Sequence, residues 1–189
     1  MIGGGDLTTL SATPIVSSLP ARIRTGTTIS DHTLLLRQVR FTHHDAQALI
    51  DDVQAEYATL YGGPDATPLD PGMFDPPRGA FFVGYVEGVP VAMGGWRFRA
   101  DVVAFGRLRA AEIKRMYVVA GARRTGLARH VLAHLEATAR GAGADLMVLE
   151  TGTSQPQAIA LYTSSGYQPV EAFGHYKWSP KSRYYGKPL

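Results

Sequence analysis

The sequence contains no cysteine, so disulfides, thiolate metal sites and a covalent cysteine intermediate are excluded by chemistry. It lacks any run of about 18 apolar residues, the length a membrane-crossing helix needs. Its start, M-I-G-G-G-D-L-T-T-L, has neither the basic residues nor the apolar stretch of a signal peptide. A cytoplasmic protein with no membrane partner is the expectation. There is also no block of one charge: 19 Lys and Arg stand against 16 Asp and Glu, leaving a net +3, with an isoelectric point near 9.3. The basic residues are scattered and lack the aromatic interleaving by which nucleic acid is bound. Nucleic acid is therefore not an expected partner, whereas small anionic ligands are compatible with the charge.

What the sequence does have is an apolar content of 45% with 19% charged residues over 189 positions, enough for one domain with a sizeable core. Residues 1–30 are rich in Gly, Ser, Thr and Pro without a period and read as an extended or poorly ordered arm, leaving residues 31–189 as the domain. From Thr33 to Phe41 the pattern predicts a strand. Thr42 with Asp45 three residues on predicts a capping-box-like helix start. Ala46, Leu49, Ile50, Val53, Tyr57, Leu60 and Tyr61 then recur at helical spacing until Gly62-Gly63 stops the helix.

Pro64 to Arg78 carries five prolines, so a long loop is expected there. A hairpin follows, G-A-F-F-V-G-Y-V and V-P-V-A-M-G-G-W-R-F-R about a Glu87-Gly88 turn, with Gly94-Gly95 marking a bulge or a close backbone approach. A strand from Ala111 to Val119, a helix from Gly126 to Arg140, a strand from Asp145 to Thr151, a helix from Gln155 to Ser165 and one or two last strands complete the chain. The order β-α-β-β-β-α-β-α-β gives an α/β fold with a mixed sheet.

Between the strand I-K-R-M-Y-V-V and the helix A-R-H-V-L-A-H-L lies R-R-T-G-L-A, Arg123 to Ala128. A helix start leaves backbone N–H groups unpaired and carries partial positive charge, which suits a phosphate. Gly126 and Ala128 keep side chains out of an anion's approach, and Arg123, Arg124 and Arg129 add charge around it.

The R-x-x-G-x-A pattern of Arg123, Gly126 and Ala128 resembles the acetyl-coenzyme A (acetyl-CoA) pyrophosphate motif of the GNAT superfamily of N-acetyltransferases. A-I-A-L-Y-T-S-S-G-Y, Ala158 to Tyr167, resembles that family's A-x-x-L-Y-x-x-x-G-F signature. The resemblance covers about four fifths of the chain. It implies a mostly antiparallel sheet flanked by helices, with a splayed parallel strand pair that binds the cofactor. The backbone around Arg124, Thr125, Gly126, Leu127 and Ala128 would then hold the pyrophosphate, and Met116, Tyr117, Val118 and Val119 would pair with the pantetheine amides. Gln155 stands where the family often has Asn, a contact to the pantetheine arm.

Acetyl transfer to an amine needs the amine neutral, although its pKa of about 10 keeps it protonated at neutral pH. A carboxylate base is the usual answer. The run A-E-I ahead of the motif resembles the histone-acetyltransferase branch, which implies Glu112 as that base. Tyr162, the tyrosine of the L-Y pair, is implied as the acid that protonates the leaving thiolate, and a backbone N–H near Tyr117 or Val118 as the oxyanion donor. His130 and His134, spaced i, i+4, lack the glutamate of a zinc motif and are expected as surface residues, with no metal.

The family's acceptor site is built by the loop after the first helix and the loop before the last strand. Here these offer Tyr61, Asp65, Asp70, Phe74 and Asp75, then His175, Tyr176 and Trp178. Three aspartates beside aromatic rings would suit a cationic amine. A small-molecule amine is the expected partner. A noncatalytic acyl-CoA sensing module and a protein acetyltransferase acting on an N-terminus or a lysine are the rival readings, and S-R-Y-Y-G-K-P-L is a last strand that could meet a second copy in a homodimer.

Overall fold

The computed structural model describes residues 33–189, and the arm expected over residues 1–30 lies outside the described residues. Along the chain run β1 (Leu35–Val39), α1 (His44–Tyr61), β2 (Gly79–Val86), β3 (Val89–Arg99), β4 (Ala110–Val118), α2 (Leu127–Gly141), β5 (Leu146–Gly152), α3 (Pro156–Ser164), β6 (Gln168–Pro169) and β7 (Ser182–Pro188). The seven strands form one sheet in the order β1-β2-β3-β4-β5-β7-β6. All neighbours are antiparallel except β4 and β5, which are parallel. The mixed, mostly antiparallel sheet expected from the sequence is the one the chain forms.

Helix α1 buries Ala46, Leu49, Ile50 and Val53 and ends at Gly62, whose φ of 81° lets its N–H turn back to Ala58 O. Its cap is His43 rather than Thr42: the His43 Nδ1 accepts the Asp45 N–H at 3.2 Å. A ring nitrogen does here what a hydroxyl would do, so the helix starts one residue later than the capping-box pattern implies.

The proline-rich loop is held at Asp65 and Ala66 and again further along. Pro71–Phe74 form a short 3-10 turn capped by the Asp70 carboxylate, which accepts the Gly72 N–H at 2.9 Å. This turn drives Phe74 into the core, stacked 5.0 Å from Phe41 and edge-on to Phe81 at 5.2 Å. At the hairpin turn Glu87 and Gly88 both have positive φ, 51° and 79°, which joins two twisted strands tightly. On β3, a side chain at Gly94 would press on Leu135 and Val131 of α2, and one at Gly95 on Phe81 and Phe74. Successive strand residues face opposite sides. Helix α2 therefore covers one face of the sheet, and the Phe41, Phe74 and Phe81 cluster covers the other.

Helix α2 buries Leu127, Val131, Leu132, Leu135 and Ala139. His130 is exposed, as expected, but His134 is not a surface residue. It is half-buried with its ring edge-on to Phe82 at 4.5 Å, and burial lowers its pKa. A second, smaller core of Val102, Ala110, Leu146, Val148, Phe173 and Tyr184 braces the lower ends of β4, β5 and β7. Among the described residues no helix is long and apolar enough to cross a membrane.

Candidate active site

Strands β4 and β5 pair over three residues only: Ala110 with Leu146, Ala111 with Met147 and Glu112 with Val148. Beyond that point β4 continues along β3 while β5 continues along β7 as far as Gly152 opposite Ser182. A bulge marks the parting. The register jumps so that Gly94 faces both Arg115 and Met116, and Arg115 takes φ 55°. An extra residue bends the strand that carries it.

The wedge between the parted strands is a cavity of about 300 Å³ lined by Lys114, Arg115 and Met116 of β4, Glu150 to Gly152 of β5, Tyr57 and Tyr61 of α1, and Gln155 and Tyr162 of α3. Tyr162 is 6% exposed. Its hydroxyl meets the Met116 sulfur at 4.0 Å, and burial, then nearby Tyr57, raise its pKa well above the ordinary phenol value. It is therefore a protonated donor. Gln155 lies at this wall as well, donating to the Tyr61 hydroxyl at 3.1 Å.

Past the end of β4 the chain turns through Ala120–Ala122 into α2, whose N-cap residue Gly126 has φ 88° and no side-chain cap. The first bonds into the helix come from the Arg129 and His130 N–H groups to Gly126 O, so the N–H groups of Leu127 and Ala128 precede the helical ladder. A side chain at Gly126 would meet only His130, at 4.0 Å, so the approach is open to a phosphate.

Of the three arginines, Arg123 is occupied by the fold: its Nη2 holds both Glu56 oxygens at 2.6 and 2.8 Å, and its Nε donates to Val118 O at 2.9 Å. Arg129 donates to the Ser164 Oγ at 2.9 Å and ties α2 to α3. Arg124 is exposed and makes no side-chain bond among the described residues. Thr125 bonds back to Ala122 O at 2.7 Å. Of the four positions at the end of β4 and just past it expected to meet pantetheine, the Val119 N–H already donates to Val91 O, Val118 O accepts from Arg123 and Tyr117 donates its hydroxyl to Glu56. Met116 lines the wedge.

Glu112 sits where the pair closes, 2% exposed. Arg97 lies directly opposite it on β3, and Arg99 and Lys114, each two residues along, share that face. All three reach it: Arg97 and Arg99 hold Oε2 at 2.8 and 2.7 Å, and Lys114 holds Oε1 at 3.2 Å. Burial alone would raise its pKa, but Lys114, Arg97 and Arg99 together outweigh burial and hold it below the ordinary carboxylate value. Glu150, which the sequence reading did not single out, behaves in the opposite way. Burial raises its pKa despite a bond from Ser182 and the nearby Lys114.

A second cavity of about 210 Å³ lies over the Glu112 cluster, lined by Thr67, Arg97, Arg99, Glu112, Lys114, Glu150, Phe173, His175 and Tyr176. Lys114, Glu150 and Tyr176 line both cavities. Above them the two loops are joined, Tyr176 donating to Asp65 Oδ1 at 2.8 Å and accepting from the Ala66 N–H at 3.0 Å.

Tyr61, His175 and Tyr176 thus stand at the cavities. Phe74 does not, being core, because the Asp70 cap turns it inward. Trp178 is 85% exposed and lines neither cavity. The three aspartates do not form a cation site either. Asp70 pairs with Arg78 at 3.4 Å, Asp75 is exposed, and Asp65 is consumed by Thr67, Tyr176 and Arg115, the last at 3.2 Å.

A sheet parted beside an uncapped helix start, with a buried phenol in the gap, has the architecture of an acyl-CoA-dependent transferase. The pattern of the Acetyltransferase (GNAT) family matches residues 46–167, and the chain belongs to that family. Over 78 residues, 41% of this chain and 51% of the relative, it is 41% identical to an IAA acetyltransferase of Azospirillum brasilense. Over 83 residues, 43% of this chain and 55% of the relative, it is 39% identical to the N-acetyltransferase YsnE of Bacillus subtilis. The chain thus spans about half the length of the curated relatives it matches.

Among solved structures, a protein of Klebsiella pneumoniae assigned as an acyl-CoA N-acyltransferase aligns at 31% identity and TM-score 0.66, over 85% of this chain and 99% of that one. The aminoglycoside N-acetyltransferase AAC(6')-Iy, solved with CoA, aligns at 16% identity and TM-score 0.58, over 77% and 94%. That second likeness is one of fold.

Proposed function

We propose that the chain moves an acetyl group from acetyl-CoA to a primary amine of a small molecule, by direct attack while both are bound. The observation that carries this reading is the wedge itself: parted strands roofed by two hydrogen-bonded loops, with a second cavity of about 210 Å³ beside it that has room for a small acceptor. The residues fit the co-substrate. The free N–H groups of Leu127 and Ala128, the open approach at Gly126 and the exposed Arg124 would hold its phosphates. Met116 and Gln155 would line its pantetheine arm. The co-substrate supplies an activated acetyl thioester.

Tyr162 donates a proton to the departing sulfur; its raised pKa keeps that proton available at neutral pH. Two carboxylates compete for the amine's proton. Glu112 is the one implied by the family pattern, but three cations make it a weak acceptor. Glu150 has the raised pKa a base needs and faces both cavities, so it is favoured here.

The test is release of free CoA thiol from acetyl-CoA with a panel of amines, beside Tyr162→Phe, Glu112→Gln and Glu150→Gln. Loss of a general acid or base costs about 10²- to 10⁴-fold in turnover. Turnover unchanged in Tyr162→Phe would remove the acid assignment. Retained turnover in Glu150→Gln with loss in a folded Glu112→Gln would restore Glu112 as base. Acetyl-CoA binding without turnover on any amine would favour the sensing module.

A further inference from the structure

The second cavity gathers three cations around one buried carboxylate. Arg97, Arg99 and Lys114 converge on one buried carboxylate, Glu112. Asp101 engages Arg99 from outside, with 2.7 Å bonds to Nε and Nη2. With Glu150, which lines the same space, three carboxyls stand against the three cations around about 210 Å³.

The donors are also incompletely used. Lys114 has three N–H groups and contacts a single oxygen, at 3.2 Å. Arg97 spends its Nη1 on the Met73 sulfur at 3.4 Å, a weak acceptor. Both side chains are largely buried, 13% and 21% exposed, so solvent does little to satisfy them.

We propose that the acceptor is an amino-carboxylate, its carboxylate held in the second cavity by Lys114 and Arg97 and its amine directed through the shared wall toward the first. A bound carboxylate accepts the unused N–H groups of Lys114 and Arg97, and the amine end of the same molecule keeps the charge balanced. Lys114 and Glu150, each lining both cavities, then address the two ends of one small molecule, the cation its carboxylate and the acid its amine. The acid-rich loop supplies no rival site for a cation, since Asp65 is already matched by Arg115.

The readout in turnover rests on the acetyl-transfer reading, whereas the readout in binding does not. The probes are the twenty amino acids and β-alanine, each beside its carboxamide, which keeps the amine and removes the charge. Binding is measured by calorimetry on the full chain with CoA present, and turnover by thiol release. We expect at least one amino acid to exceed its carboxamide by about tenfold or more in affinity and in kcat/KM, the worth of a charged hydrogen bond. Lys114→Met should bring the pair close to parity, and Lys114→Arg should restore the preference, which separates loss of charge from a folding defect.

Carboxylate-selective binding that depends on Lys114 without thiol release would uphold the inference and overturn acetyl transfer. Carboxamides turned over as well as the acids would uphold acetyl transfer and overturn the inference. The binding of no amino acid at all would also overturn the inference.

Discussion

The lower and upper halves of the β4–β5 pair are built from the same two strands and do opposite things. Below Glu112 and Val148 the strands are hydrogen-bonded and Ala110, Ala111, Leu146, Met147 and Val148 are fully buried. Above that point each strand keeps its outer neighbour and loses the inner one, and polar side chains line the space released. The difference teaches that this site is a withheld stretch of sheet. The lower half fixes the angle of the wedge, and the upper half presents what the wedge contains.

Four measurements can break or sharpen that division. The largest effect is expected from the upper half's chemistry: Tyr162→Phe should lower turnover by about 10²- to 10⁴-fold with little change in melting temperature, since among the described residues its hydroxyl bonds only to the weakly accepting Met116 sulfur. Met147→Ala in the lower half should do the reverse, costing about 2–5 kcal/mol of stability while acetyl-CoA affinity, by calorimetry below the melting point, stays near wild type. Loss of affinity in that variant would mean the halves are not separable.

At the start of α2, Gly126→Asp sets a β-carbon at φ 88° and an anion beside the expected phosphate. The strain should cost about 1–2 kcal/mol of stability, and the repulsion, up to about 2 kcal/mol, should weaken acetyl-CoA binding by up to about thirtyfold in Kd, read by calorimetry.

The smallest effect is in pH. Glu112, at the boundary, has a folded pKa below its ordinary 4.5, so its contribution is present above that value and is lost as pH falls through the folded one. Glu150 has a folded pKa above 4.5, so its contribution is full below that value and is lost as pH rises through the folded one. Glu150→Gln should therefore raise the melting temperature more at pH 8 than at pH 4, and the opposite order would place Glu150 in a different environment.

Much of this was legible in the residues. The arginine-glycine turn announced an open helix start, and α1, the hairpin turn and the close approach at Gly94 and Gly95 followed from spacing. What escaped depends on pairing between distant segments. Glu112 meets Arg97 and Arg99 only because of the β3–β4 register, and no local pattern shows which strand residue faces which. Arg123 looked like a phosphate ligand until Glu56, from another helix, claimed it. Phe74 looked like a loop aromatic because the turn that buries it is made by its neighbours Asp70 and Pro71. Glu150 lay inside an ordinary apolar strand, and its one signal was a lone acid in the run L-M-V-L-E-T.

Strand β7 lies between β5 and β6, although both precede it in the chain. Strand β6 is therefore joined to the sheet only through β7, and β7 is what covers the β5 edge. A chain with β7 unseated leaves that edge open to a wrong partner and keeps Ser182, the first residue of β7, away from Glu150. One strand thus guards the sheet against mispairing and places a hydroxyl beside the proposed base.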